Sequence, residues 1–314
     1  VRAAGASARL VRRGGKRSLM EAYITAIGIV VLINVLLALG LTLQYGRTGL
    51  INFGHVGFFA IGAYTSALLA MQGVPIVLAF VGAAVLAALA AWPIGLISLR
   101  LRDDYFAIVT LGFSETVRFV VTSEKWLTNG MQGIPGVPRL YESIGPGLTA
   151  QLAVLATLVV VVVVASAMIQ RMANSPFGRV IEAIRDNEEA VKALGKDPAG
   201  FKIQVLAVGA ALAGIAGAFY AHYITFIVPD QFGPIVTFYT WMAIIIGGVG
   251  RISGTLVGTA ILMLFLEGSR FIRDIIPAIP EVEMASIRIG VIGIALILFV
   301  TYRPQGLMGD YTRR

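Results

Sequence analysis

The sequence predicts an all-α, polytopic membrane protein, and three observations carry that prediction. Hydrophobic residues make up 57% of the 314-residue chain and charged residues only 13%, against roughly a quarter charged in an ordinary soluble domain. Mean hydropathy is +0.84. Runs such as "VVVVVV" are apolar on every side, unlike the alternating segments of an outer-membrane barrel. A spanning helix needs about 20 apolar residues, and the chain offers enough such stretches for one bilayer domain of about 8–10 helical segments.

Taken in chain order, residues 1–20 form a basic extension with Arg2, Arg9, Arg12, Arg13, Lys16 and Arg17. The first apolar stretch, 23–43, is too long for a signal-peptide core and has no small-residue cleavage site behind it, so it is expected to stay as a helix. Further clear spans lie at 76–99, 105–121, 151–170, 203–223 and 286–301, giving a transmembrane domain over 21–303 and a tail over 304–314. Basic residues recur at Arg100 and Arg102, then at Arg303, Arg313 and Arg314. Clustering at membrane edges is the positive-inside pattern. The net charge of +8 therefore reads as orientation in a lipid bilayer. A nucleic-acid partner is not expected, because the basic N-terminus lacks interleaved aromatics and adjoins a span.

Two apolar stretches are interrupted by glycine and arginine: "QYGRTGLINFGHVGFFAIGAYTSALLAM" and "VTFYTWMAIIIGGVGRISGTLVGTAILMLFLEG". Each is expected to be a broken pair of short helices joined by irregular backbone, which at membrane depth survives only against protein or water. If both return the chain to the side it entered from, the N-terminus, the 100–102 turn, residues 174–197 and the C-terminus all face the cytoplasm. The two stretches share a Gly-Arg signature at Gly46 and Gly250, so a weak internal repeat is expected, as in many transporters. Gly250, Gly254 and Gly258, and likewise Gly209, Ala213, Gly217 and Ala221, form ladders of small residues that let helices approach closely.

Candidate chemistry is sparse. Absence of Cys excludes disulfides and thiolate metal sites. His55 and His222 stand far apart, so no histidine metal cluster or catalytic triad is expected. "GGVGRISGT" lacks the Gly-Lys-Ser/Thr ending of a phosphate loop. No catalytic residue, metal or cofactor is therefore assigned to this chain. Asn52, Phe53, His55, Gly248 and Gly250 sit at the breaks, where polar groups and open backbone fit a translocation path; a structural, hydrogen-bonded role is the competing reading for His55. Glu115 and Arg118, three apart, read as an intrahelical pair near the outer surface. Asn34 and Gln44 fit interhelical hydrogen bonds or a path.

The charged stretch "NSPFGRVIEAIRDNEEAVKALGKD", 174–197, stands between two runs of almost pure hydrocarbon. Ser175 and Pro176 give an N-cap and a first-turn signal. Phe177, Val180, Ile181 and Ile184 then share one helix face. Asn187 restarts the pattern with Glu188 and Glu189 in a first turn, followed by Ala190, Val191 and Leu194, and Gly195 as a stop. Two short amphipathic helices are predicted. Their apolar faces need headgroups, the chain's own helix ends or another protein.

This stretch and the following "GAALAGIAGAFYA" resemble the cytoplasmic coupling region of permeases in branched-chain amino-acid ABC importers. "YGRTGLINFGHVGFFAIGAY", "LRDDYFAIVTLGF", "IIIGGVGRISGTLVGTAIL" and "YRPQGLMG" are similar to the same family in the same order, and "DYFAIVTLGFSETVR" favours its LivM branch over LivH. The resemblance implies a type II ABC-importer fold in a bacterial inner membrane. Its implied partners are a LivH-like second permease, two LivF/LivG-like ATPases that hold ATP and Mg, and an external solute-binding protein. It implies a coupling segment over 171–201 in which Glu182, Arg185, Asp186, Asn187, Glu188, Glu189, Ala190, Val191, Leu194 and Gly195 meet the ATPases, Ala190 and Val191 by docking in a groove. Branched-chain or other small neutral amino acids are the implied cargo, with short amides or urea as the alternative. An ion-coupled secondary transporter would usually carry intramembrane acids, which the clear spans lack apart from Glu115.

Overall fold

The computed structural model describes residues 2–98, 103–145, 147–275, 281–303 and 305–308. Arg100, Arg102, Arg313 and Arg314, and with them most of the expected tail, lie outside the described residues. Among the described residues, the long apolar runs are mostly helical. Its elements are α1 (Arg2–Leu41), α2 (His55–Met71), α3 (Ile76–Ser98), α4 (Asp103–Ser123), the short α5 (Lys125–Thr128), α6 (Leu148–Ala173), α7 (Pro176–Asp186), α8 (Glu188–Ala193), α9 (Pro198–Ile224), α10 (Ile235–Gly247), α11 (Ile252–Ile275) and α12 (Glu281–Tyr302). The described strands are β1 (Ile134–Pro135) and β2 (Phe226–Ile227), which pair antiparallel with Ile134 opposite Ile227. Five helices are long and apolar enough to cross a bilayer, among the described residues: those spanning Met20–Arg47, Ile76–Ile97, Asp104–Ser123, Leu148–Ala173 and Pro198–Ile224.

The direction of each helix follows from its neighbours. α6 ends and α9 begins at the segment 174–197, which defines one end of the bundle, here the lower end. Along α1, Gly28 lies against Leu155 early in α6, Gly40 against Gly209, and Arg47 against Glu182 of α7. α1 therefore descends, and its apolar part starts at the upper end. α2 climbs from the level of Gly40 and Leu37, which His55 touches, to Ser66 beside His222 near the end of α9. α3 descends, with Gly95 over Ile203. α10 descends from Thr237 beside Val56 to the bend at Gly250 beside Gly46, and α11 climbs away from Thr255 beside Thr42. The segment after α12 is back at the lower end, where the Leu307 and Met308 amides donate to Ile246 O and Gly247 O.

This order corrects the expected topology at one point. The second glycine-broken stretch, α10 and α11, descends and returns as expected. The first does not return. Helical hydrogen bonding continues through Gly46 as a π-helical turn, Thr42–Arg47, so α1 reaches the lower end, and residues 48–71 cross back once. Residue 20 consequently lies at the end opposite 174–197. The N-terminal extension leads into α1 from that upper end, and does not share a face with the coupling segment. The lower ends of α3 and α4, on either side of residues 99–102, and residues 305–308 do lie at the coupling end.

α9 is the hub of the packing. Gly214 meets Gly62 of α2 backbone to backbone and faces Ala83 and Ala87 of α3, while Gly217 sits on Phe59 O and Ala63. On the other side, Gly254 and Gly258 of α11 lie against Gly247 and Ala243 of α10. Lipid is as apolar as leucine, so helices associate through such close van der Waals packing rather than through a hydrophobic drive. Val160, Val163 and Val164 of α6 and Val77, Val81 and Leu89 of α3 are exposed and form apolar outer surface. At the upper end Arg118 pairs with Glu115 at 2.6 Å within α4 and lies 3.8 Å from Asp230, so that pair does compensate itself.

Candidate functional site

The lower end brings together α7, α8 and both Gly-Arg bends. Ser175 caps α7 by accepting from the Gly178 amide at 3.3 Å, and Pro176 occupies its first turn. Asn187 caps α8 by accepting from the Ala190 amide at 3.0 Å. Asp197 caps α9 in the same way, through Ala199. Three caps within 24 residues fold a charged stretch into defined helices where propensity alone would leave short peptides marginal.

The apolar face of α7 is turned inward. Ile181 and Ile184 are buried, Gly178 presses on Ala173 O, and Phe177 lies 5.5 Å from Phe201 of α9, centroid to centroid. Of the three partners that the sequence leaves open for this face, the chain's own helix ends cover α7. Val191 points the same way, with 5% of its surface exposed. It is therefore not available to dock in another protein, which corrects the pairing of Ala190 with Val191 as docking residues. The outward surface carries Ala183, Asp186, Asn187, Glu189, Ala190, Ala193, Gly195 and, 81% exposed, Leu194.

Charged residues tie this segment down. Arg47 donates to Glu182 at 2.6 Å, with both side chains mostly buried. Arg185 donates to the carbonyl of Gly46 at 2.6 Å. Lys202, 8% exposed at the foot of α9, donates to Glu188 at 2.6 Å, and Lys192 bridges Glu188 and Glu189. Burial pushes the Glu188 carboxyl up, but hydrogen bonding and charge from Lys202, then from Lys192, outweigh it and hold the group below the usual carboxylate range. The Lys192 ammonium is raised, chiefly by its bond to Glu189.

The break residues are committed to the chain's own interior. Asn52 is fully buried: its amide donates to Gln44 Oε1 at 2.9 Å, its Oδ1 accepts from the Gly54 amide, and its carbonyl accepts from Trp241 Nε1. Phe53 packs at a tilt against Phe238 and Trp241, with ring centroids 5.5 and 5.3 Å away. His55 is fully buried, with Nε2 3.1 Å from Leu37 O. Gly248 and Gly250 hold left-handed conformations at φ 115° and 87°. Asn52, Gln44 and His55 form a polar seam between α1, α2, α9 and α10, with all three side chains buried in this chain. Gln44 makes an interhelical bond to Leu206 O, whereas Asn34 donates to Val30 O within its own helix. Sequence reasoning missed the Arg47–Glu182, Arg185–Gly46 and Lys202–Glu188 contacts. The visible signal was a lone Lys202 at the edge of an apolar span and an arginine beside each glycine bend.

The family described as "Branched-chain amino acid transport system / permease component" matches residues 23–300. The chain is 30% identical over 304 residues to the high-affinity branched-chain amino acid transport system permease protein LivM of Escherichia coli K12, covering 88% of this chain and 68% of that one. It is 26% identical to the probable LivM of Methanocaldococcus jannaschii, over 88% of this chain and 90% of the relative. Identity to LivH of Escherichia coli K12 is 25%, over 87% and 90%. No solved structure matches. With its all-helical fold, its glycine-packed bundle and its helical segment 174–197 all inside or abutting the matched region, this chain belongs to the branched-chain amino acid transport system permease family.

Proposed function

We propose that the chain is the LivM-like permease subunit of an ABC importer for branched-chain or other small neutral amino acids. It works beside a LivH-like second permease, two ATP-binding subunits and an external solute-binding protein, and ATP and Mg are held by the ATPases alone. The observation that carries this reading is the capped pair α7–α8. Its inner face is bolted to the bundle, while Ala190, Ala193 and Leu194 are left uncovered on a charged surface. An apolar patch on a capped, charged surface helix fits a partner protein, here an ATP-binding subunit. Reading 174–197 as the ATPase contact puts this end, with Arg47, Arg171, Arg179, Arg185, Lys196 and Arg303, on the cytoplasmic side of an inner membrane, and the basic extension then enters α1 from the opposite side.

ATP binding and hydrolysis move the importer between states only if the ATPases hold this segment differently in each, since differential interaction alone shifts a conformational equilibrium. The test is co-purification of the ATPases with the permease pair, then uptake by the reconstituted complex with its binding protein. Saturable leucine uptake is expected; saturable urea uptake without leucine uptake would move the assignment to short amides and urea. Ala190→Glu and Leu194→Glu are expected to leave the membrane bundle assembled while cutting both ATPase activity and uptake. Val191→Glu is expected to disrupt the segment itself, because it places a charge in the buried face.

A further inference from the structure

The lower end contains a second arrangement that docking does not require. The two Gly-Arg bends, separated by about two hundred residues in sequence, touch: a Cβ on Gly46 would sit 2.8 Å from both the Cα and the N of Gly250. α7 grips the same spot twice. Its Glu182 holds Arg47, the residue after Gly46, and its Arg185 holds the Gly46 carbonyl. The Arg185 stem lies over Gly49, where a Cβ would meet Cγ at 3.3 Å, and its guanidinium comes within 3.6 Å of the same point on Gly250. The segment after α12 closes the cluster from the other side, with Gly306 against Gly248 and two backbone hydrogen bonds into the end of α10.

We infer that Arg47, Glu182 and Arg185 are positioning residues that tie any movement of α7 to both glycine bends at once, so that α1, α10 and α11 shift at the lower end as one body when the segment 174–197 is moved. This rests on the reading of 174–197 as the ATPase contact and extends it inward. The pairing is reciprocal, an arginine from each side meeting an acceptor on the other, so α7 cannot slide or tilt without displacing the bend. The bends themselves are left-handed or π-helical backbone that meet through Gly46 and Gly250.

The experiment uses the whole importer, both permeases, both ATPases and the binding protein, in liposomes, with ATP hydrolysed per leucine imported as the readout. Arg47→Glu is expected to assemble with the ATPases and retain ATP hydrolysis within about threefold. Uptake should fall at least tenfold, so that the ratio rises tenfold or more. The exchanged pair Arg47→Glu with Glu182→Arg is expected to restore the ratio to within about threefold of the parent. Arg185→Lys, which keeps one donor for the Gly46 carbonyl, should be milder than Arg185→Ala. An unchanged ratio in Arg47→Glu would overturn the inference, as would loss of assembly, hydrolysis and uptake together with no rescue by the exchange, because that is what a merely structural ion pair would do. Failure of the parent complex to bind ATPases at all would instead remove the functional reading beneath it, and is distinguished at the purification step.

Discussion

The two Gly-Arg bends share a signature, a depth and a shape: a helix comes down, turns at glycine, and another helix goes up. They are held by different means. The first, 46–54, draws heavily on side chains: Thr110 and Asn52 accept from the Phe53 and Gly54 amides, Trp241 donates to Asn52 O, and Gln44 Oε1 fixes the Asn52 side chain, beside backbone bonds from Gly49 and Leu50. The second, 248–251, is held mainly by backbone, with Gly254 against the carbonyls of Gly247 and Gly248 and the chain after α12 bonding into Ile246 and Gly247, beside one side-chain bond from Thr255 Oγ1 to Arg251 O. Irregular backbone in a membrane protein must be paired internally, and this molecule does it once mainly by polar side chains and once mainly by proximity. The first bend is therefore sensitive to the loss of polar atoms, the second to the gain of any atom.

The comparison first stands or falls on topology, where the effect is all-or-none. If the first stretch crosses once and the second returns, cysteines introduced at position 20 and at Asn129 face the exterior, and one at Asn187 faces the cytoplasm. The native chain contains no Cys, so an impermeant maleimide applied to intact cells reads each site alone. Labelling is expected at 20 and 129 and, without permeabilisation, not at 187. Protection of position 20 together with labelling of 129 would mean that the first stretch returns after all.

Next in size is Gly254→Leu. A Cβ there would lie 2.7 Å from Gly247 O and 2.8 Å from Gly248 O, and neither carbonyl can yield without breaking the bend. Overpacking of this kind costs about 3 kcal/mol, a large share of a protein's net stability. The expected outcome is aggregated permease on size-exclusion chromatography, whereas Gly112→Leu, with open space at its Cβ, should elute as the parent does.

Asn52→Ala tests the other bend. It removes the donor to Gln44 Oε1 and the acceptor for the Gly54 amide at a fully buried site, and each orphaned group costs about 1–3 kcal/mol. A lowered melting temperature in detergent with retained assembly is expected. A melting temperature equal to the parent's would show that the polar seam is dispensable and that both bends are held by packing.

How much of this was legible beforehand follows from the range of each interaction. Spans read from apolar runs fall within a few residues of α3, α4, α6, α9 and α12, because hydropathy is a local property of the chain. The Gly-Arg signature marked both bends. The topology of the first was misread because a glycine next to an arginine looks like a break, while the backbone carries it inside a π turn. Periodicity correctly placed Phe177, Ile181 and Ile184 on one face of α7, yet a face does not name its partner, and Val191 went inward with them. Arg47 and Glu182 are 135 residues apart; no local pattern announces that pair, and only the folded bundle joins them.

The smallest expected effect concerns the link between α8 and α9, where Lys202 holds Glu188 and Val191 packs inward. Glu188 titrates below its free value because Lys202 and Lys192 favour its ionised form more than burial opposes it. A carboxyl lowered in the docked state stabilises docking at pH above its free value, about 4.3, and that contribution fades as pH falls through the lowered value. The group is partly exposed, so water screens the pair and the change should be modest. Hydrogen-exchange protection of the α8 amides, corrected for intrinsic rates, is expected to be constant from pH 8 to about pH 5 and to fall a few-fold at lower pH. In Glu188→Gln the protection should be lower at pH 7 and flat with pH over the same range, because the amide keeps a hydrogen-bond acceptor for Lys202 but carries no titrating charge. Equal, pH-independent protection in both proteins would show that α8 is held by Val191 packing and its Asn187 cap, leaving Arg47–Glu182 and Arg185–Gly46 at the first bend as the charged contacts with mechanical weight.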